Sequence, residues 1–144
     1  MARIVNEAAY AARRNAILDA TRRAIATKGY EQMAIADILS ELEISSGAFY
    51  HYFDSKPALL LALVEQMGDE IEQLVLPVVQ DPTLPALDKL HRFFVTIDHW
   101  KLAHKRLLLG YLRVWYADEN AIVRHKLHTA RVKRLSRWLE EIIQ

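Results

Sequence analysis

The sequence predicts an all-α protein, and three observations predict it. Apolar residues recur at spacings of three and four along most of the chain, turn-forming residues are scarce, and the apolar share is large. Of 144 residues, 52% are hydrophobic, with four glycines and four prolines, too few turn-formers for a many-stranded β fold. The formal net charge of +1 and the apolar content together argue against intrinsic disorder. A chain of this length fits one compact unit or two very small ones.

The first helix is expected from Asn6 to Lys28, where Tyr10, Ile17, Leu18, Ala24 and Ile25 fall on one face and Arg13, Arg22 and Arg23 fall largely elsewhere. Gly29 stands where a left-handed residue closes the last turn, and Tyr30 can then fold back onto the apolar face. Two short helices follow, one carrying Ile35, Ile38, Leu39 and Leu42, the other Phe49, Tyr50, Tyr52 and Phe53. Ser45 is suited to cap the second of these, because its hydroxyl accepts from an unpaired amide at the helix start. Ser55 and Pro57 mark the start of a longer helix near Lys56, with Leu59, Leu60, Leu63, Val64, Met67, Ile71, Leu74 and Val75 on its apolar face, ending at Pro77.

A fifth helix is expected to start at Pro85 with Thr83 as its cap, and to carry Leu87, Leu90, Phe93, Phe94, Ile97 and Trp100 to about Ala103. Leu107 to Tyr116 is a nearly continuous apolar run that suggests a helix buried on most sides. Asp118, Glu119 and Asn120 interrupt it. A seventh helix then carries Ile122, Val123, Leu127, Ala130, Leu135, Trp138, Leu139 and Ile142. With no repeat and no Gly/Ser linker, any domain boundary must fall within or beside a shared helix near Lys56, dividing the chain into residues 1–56 and 57–144.

Several function classes are disfavoured. The chain has no cysteine, hence no disulfide framework, no thiolate metal site and no cysteine nucleophile; a reducing compartment is permitted. The charged N-terminus does not read as a secretory signal, and no window reaches the roughly 18 uncharged apolar residues of a membrane span. A soluble, cytoplasmic protein without membrane association is expected. His125 and His128 lie three apart on one helix without an evident third ligand, and His91, His99 and His104 have no carboxylate spaced for a catalytic pair. The serines lack a nucleophile-elbow context and there is no phosphate-cradling glycine loop. No enzyme, no cofactor and no metal site is expected.

A helix followed by two short helices at a sharp bend is an arrangement that presents the last helix to a DNA major groove. The run Ile35-Ala36-Asp37-Ile38-Leu39, then Ile44 through Phe53, then Ser55-Lys56 and Leu59-Leu60, resembles the N-terminal domain of TetR-family transcriptional regulators; Gly29-Tyr30 matches that family's glycine and aromatic pair. The resemblance covers roughly residues 10–64. It implies an N-terminal three-helix helix-turn-helix domain joined to a C-terminal helical domain for ligand binding and dimerisation, apparently short.

The same resemblance implies DNA-facing roles for Ser45, Ser46, Gly47, Ala48, Tyr50 and His51 on a recognition helix spanning 45–52, and a phosphate contact for Lys56. Small side chains at Gly47 and Ala48 let a helix approach base edges closely, and Tyr50 and His51 can donate to phosphate oxygens. Phe49 and Phe53 belong to the core, and Tyr50 and His51 have an alternative reading as an aromatic cluster packed on it. The implied partners are a palindromic double-stranded DNA operator, a second copy of the chain and a small apolar or aromatic effector. Candidate walls of the effector site are Met67, Phe94, Trp100, Tyr111, Trp115 and His128, for which ordinary core packing is the plainer alternative. The implied function is ligand-responsive transcriptional regulation, most simply repression.

The chain departs from the family pattern in places. Glu43 stands where glycine is frequent, which suggests a differently shaped bend, and Met33 and Ala34 replace threonines that would contact phosphate. Ser46 replaces a frequent lysine. Residues 1–56 carry no net charge, so DNA binding requires the charges to be segregated, with Arg3 and Lys56 toward phosphate and Glu31, Asp37 and Glu41 turned away. The Arg13/Arg14 and Arg22/Arg23 pairs read as a solvated helix face. Residues 57–98 carry a net −5 and residues 99–137 a net +8, most simply because one helix pairs with another within the fold. The sequence stops at Gln144 within an apolar-periodic helix, where TetR-like chains usually have two more dimer-forming helices. These departures sustain an alternative: a helical ligand-binding or interaction protein that has lost operator binding.

Overall fold

A computed structural model describes the backbone of residues 2–116 and 121–144, and their side chains except those of 2–5, 113, 114 and 123. Arg3 as a phosphate contact and the interruption at Asp118, Glu119 and Asn120 therefore lie outside the described residues. Seven helices are described: α1 (Ala2–Lys28), α2 (Ile35–Leu42), α3 (Ser46–Tyr50), α4 (Lys56–Val79), α5 (Ala86–Ala103), α6 (Lys105–Trp115) and α7 (Ala121–Ile143). No strand occurs among the described residues, and the chain is all-α.

Each helix end has a local cause. Helix α1 stops where Gly29 takes φ +81°, its amide donating to the Ile25 carbonyl at 2.9 Å, and Tyr30 packs back on the core half-buried. Ala34 has no side-chain oxygen to cap α2. The Asp37 carboxylate accepts from the Ala34 amide at 2.9 Å instead, while the Asp37 amide donates to the Ala34 carbonyl at 3.0 Å. The capping duty thus moves three residues into the helix. Ser45 Oγ accepts from the Ala48 amide at 3.1 Å and Ser55 Oγ from the Ala58 amide at 3.2 Å, so both expected serine caps are present.

Four local expectations need correction. Glu43 does not reshape the bend after α2; it adopts the left-handed conformation itself, with φ 53° and ψ 43°. A non-glycine residue there costs about 1 kcal/mol, offset because the turn brings the Ile44 amide onto the Leu39 carbonyl at 3.1 Å and packs Leu42 and Ile44 on the core. Helix α4 does not end at Pro77 but continues to Val79. Only one bond near the helix end is lost there, and Val75 and Val79 are fully buried with Phe93 and Trp138. Thr83 does not cap α5: its amide and hydroxyl donate to Asp81 Oδ1 at 2.8 and 2.6 Å, and Pro85 takes the cap position. Helix α6 is not buried on most sides. Leu107 and Tyr111 face inward while Leu109 and Leu112 are about half exposed, because α6 packs chiefly on α1 and α5.

Three apolar clusters hold the helices together. The first contains Ile17, Leu18, Ile25, Met33, Ile38, Phe49 and Phe53, then Leu59, Leu63 and Met67 of α4, and reaches Trp100 of α5 and Leu107 of α6. One core therefore runs across residue 56. The second gathers Leu60, Val64, Tyr111 and Leu127, and the third Val75, Val79, Phe93, Trp138 and Ile142. Helix α4 contributes to all three.

Charged side chains stitch the same seams. Arg22 of α1 forks onto both carboxylate oxygens of Glu70 at 2.6 and 3.2 Å and donates to Gln66 at 3.1 Å. Arg23 pairs with Glu41 at 2.5 Å, and the Arg14 guanidinium lies 5.1 Å from the centre of the Phe53 ring. The expected solvated arginine face holds at Arg13 and Arg23, which are exposed, and is corrected at Arg14 and Arg22, whose apolar stems pack while their heads find partners. Arg134 and Arg137 of α7 reach Asp69 and Glu72 of α4 at 3.0 and 2.6 Å. Gly68 leaves the room for this, since a Cβ there would come within 2.7 Å of an Arg134 nitrogen. These pairs join the acidic residues 57–98 to the basic residues 99–137, as the plain reading of the charge asymmetry expects.

Candidate nucleic-acid interface

Helix α3 is a single short turn held to the body by one side. Phe49 and Phe53 are buried, their ring centres 6.1 Å apart, and they anchor the segment between α1 and the start of α4. With that side committed, Ser45, Ser46, Gly47, Tyr50 and His51 are left exposed and Ala48 half-buried. The six expected recognition residues form one outward patch.

Gly47 is not required by the fold. A Cβ added there meets only Ser45 Oγ, at 4.0 Å, and the residue is not in the left-handed region. The absence of a side chain leaves surface open outside the protein rather than making room within it. Tyr50 and His51 make ring contacts with the aromatic cluster and yet stay exposed. Tyr50 lies edge-on to Phe49 at 5.3 Å yet is 48% exposed. His51 lies edge-on to Tyr10 at 5.8 Å and to Tyr52 at 5.2 Å and is likewise exposed.

Lys56, the first residue of α4, is half-buried with its ammonium 4.4 Å from the centre of the Tyr30 ring. Burial pushes its pKa below the ordinary lysine value, and the nearby Glu31 carboxylate opposes that shift. The role of Tyr30 as a seat for Lys56 has no signature in the sequence, because a turn and two helices separate the two residues. The charges of residues 1–56 are partly segregated by pairing: Asp37 takes Lys28 at 2.7 Å and Glu41 takes Arg23, both on the α1–α2 seam.

The six expected effector-wall residues are spread over several parts of the structure. Met67 and Trp100 lie in the first core cluster, Trp100 stacked on His104 with ring centres 4.2 Å apart. Phe94 and His128 are exposed. Tyr111 and Trp115 meet, at 4.9 Å, beneath the Arg131 guanidinium, which lies 5.4 Å from each ring centre. The Tyr111 hydroxyl is buried without a hydrogen-bond partner, and burial raises its pKa far above the ordinary phenol value. A cleft of about 430 Å³ opens elsewhere, between the end of α1 and α6. Among the described residues no group of three or more His, Asp or Glu side chains is placed to hold a metal ion, and no helix is long and apolar enough to cross a membrane.

Comparison with known proteins agrees with this geometry. Residues 17–63 match the family described as bacterial regulatory proteins, tetR family. The chain is 25% identical over 100 residues to the HTH-type transcriptional repressor DhaR of Mycobacterium sp. (strain GP1), an alignment covering 69% of this chain and 50% of that protein. It is 39% identical over 62 residues to the HTH-type transcriptional repressor Rv1474c of Mycobacterium tuberculosis, covering 43% of this chain and 33% of the relative. The chain thus spans half the length of these relatives or less.

Among solved structures, a transcriptional regulator from Aquifex aeolicus VF5 superposes with a TM-score of 0.67 at 19% identity, over 89% of this chain and 71% of that one. The regulatory protein TetR from Rhodobacter sphaeroides superposes with a TM-score of 0.62 at 23% identity, over 88% and 70%. These likenesses show the shared fold. The match to the tetR family of bacterial regulatory proteins is carried by residues 17–63, the stretch that holds α2, α3 and the start of α4.

Proposed function

We propose that the chain is a ligand-responsive transcriptional regulator, most simply a repressor, that binds a palindromic operator as a homodimer. The observation that carries this reading is the outward α3 patch centred on Gly47, where the fold leaves a small-residue surface that its own packing does not need. Ser45, Ser46, Gly47 and Ala48 would meet base edges and backbone closely, Tyr50 and His51 would donate to phosphate oxygens, and Lys56 would leave Tyr30 to reach phosphate. Two such helices about 34 Å apart read two half-sites of one symmetric duplex. A small apolar or aromatic effector in the C-terminal helices, with Met67, Phe94, Trp100, Tyr111, Trp115 and His128 as candidate contacts, would favour a geometry in which that spacing is wrong.

Selection of duplex DNA from a random pool by the purified chain tests the reading. Enrichment of a two-fold symmetric sequence whose affinity falls steeply with salt is expected; a pool that remains unenriched at low salt refutes operator binding. The second reading, a helical ligand-binding or interaction protein without operator binding, draws on the balanced charge of residues 1–56 and on Lys56 being folded over Tyr30. It expects an unenriched pool.

A further inference from the structure

The cleft between the end of α1 and α6 combines features that ordinary packing does not require. It arises because α6 approaches α1 at Gly110, where a Cβ would come 2.9 Å from Ile25 Cγ2, while Gly29, at φ +81°, turns the chain away beyond. The resulting volume, about 430 Å³, is within the range of small-molecule sites, roughly 300–1,000 Å³. Leu109 supplies an apolar wall that is 51% exposed. Arg106, one turn earlier on α6, also lines the cleft, and it has no hydrogen bond, ion pair or ring contact among the described residues. Of the other charges at the cleft, Lys28 is paired with Asp37, and the Glu31 carboxylate lies near enough to Lys56 to act on its charge. An unpaired cation beside an exposed apolar wall in a concave site is complementary to an anion carrying an apolar arm.

We propose that this cleft binds a small organic carboxylate with one short aliphatic or aromatic arm, its carboxylate on Arg106 and its arm against Leu109. Tyr30 lines the same cleft and carries the Lys56 ammonium on its ring, so an occupant pressing on Tyr30 is felt at the first residue of α4. The binding claim stands apart from operator binding, because both of its readouts lie within the chain itself.

Nitrogen–proton correlation spectra of the full chain, titrated with octanoate and with phenylacetate, test it. The four glycines give separable signals: Gly29 and Gly110 line the cleft, whereas Gly47 and Gly68 do not. Saturable shifts at Gly29, Gly110 and the Lys56 amide are expected with either carboxylate, and none with acetate or octanol at equal concentration. Arg106→Gln should weaken binding at least tenfold. Ala26→Trp, which fills the cleft from an exposed position on α1 without altering the core, should abolish it. Shifts that persist in both variants, that fall equally on Gly68, or that fail to saturate overturn the site. Saturable shifts at Gly29 and Gly110 with Lys56 unmoved overturn the coupling through Tyr30.

Discussion

The Arg22 guanidinium grips both carboxylate oxygens of Glu70, 48 residues away in the chain, at 2.6 and 3.2 Å. This contact joins α1 to the middle of α4. Arg22 is 18% and Glu70 36% exposed, a partly shielded two-point pair that should be worth more than a surface ion pair. Arg22→Ala and Glu70→Ala are each expected to lower stability by about 1–2 kcal/mol, with a coupling of about 1 kcal/mol in the double-mutant cycle. Urea unfolding midpoints of the four proteins check this; strictly additive losses would show that the pair contributes nothing of its own.

Glu43 is the one non-glycine with positive φ among the described residues. Glu43→Gly should relieve backbone strain of about 1 kcal/mol, less what glycine gives back through the freer unfolded chain, leaving a neutral to slightly higher melting temperature. Glu43→Val, β-branched in the same conformation, should lower it clearly. A glycine variant less stable than the valine variant would contradict the left-handed turn.

At Gly47 the expected effect is on binding and not on folding. Gly47→Leu places its Cβ in open space and replaces a poor helix former by a good one, so the circular dichroism spectrum and melting temperature should be unchanged or slightly improved. Affinity for a selected duplex should fall at least tenfold, because the new side chain occupies the approach to the groove. A variant that binds duplex as well as the parent would remove Gly47 from the interface.

The Asp37 carboxylate is held below its ordinary pKa of 3.8, first by the hydrogen bond from Lys28 and then by that from the Ala34 amide. Its folded pKa is depressed, so its stabilising contribution is complete above the ordinary carboxylate range and is lost as pH falls through the folded value. Asp37→Asn should therefore lower the unfolding midpoint at neutral pH, with the difference shrinking in strong acid. A midpoint difference that stays constant from neutral pH to well below 3.8 would mean that the charge is irrelevant.

What was legible in the sequence was what local chemistry determines. The stops and starts at Gly29, Ser45 and Ser55 follow from the conformational freedom of glycine and from hydroxyl caps. The inward pair Phe49 and Phe53 follows from a spacing of four, although Phe53 lies just beyond the end of α3. Features decided at a distance were not legible. Pro77 reads locally as a stop, but Val75 and Val79 have Phe93 and Trp138 to bury against. The apolar run of α6 looks fully buried until one knows that it packs chiefly on α1 and α5. Arg22 and Lys56 find their partners Glu70 and Tyr30 only once α1, the turn and α4 are folded together. The same limit applies to the expected effector walls, because nothing in the spacing of Met67, Trp100 and Phe94 reveals which of them face one another.

The first core cluster, with Leu59, Leu63, Met67, Trp100 and Leu107 among its members, bears on how the molecule can be taken apart. A fragment cut at residue 56 would keep the entire α3 patch but lose the floor beneath it, leaving Ile17, Phe49 and Phe53 bare to water. The α3 patch is a tenant of the body beneath it, and whatever loosens that body cannot leave the patch undisturbed.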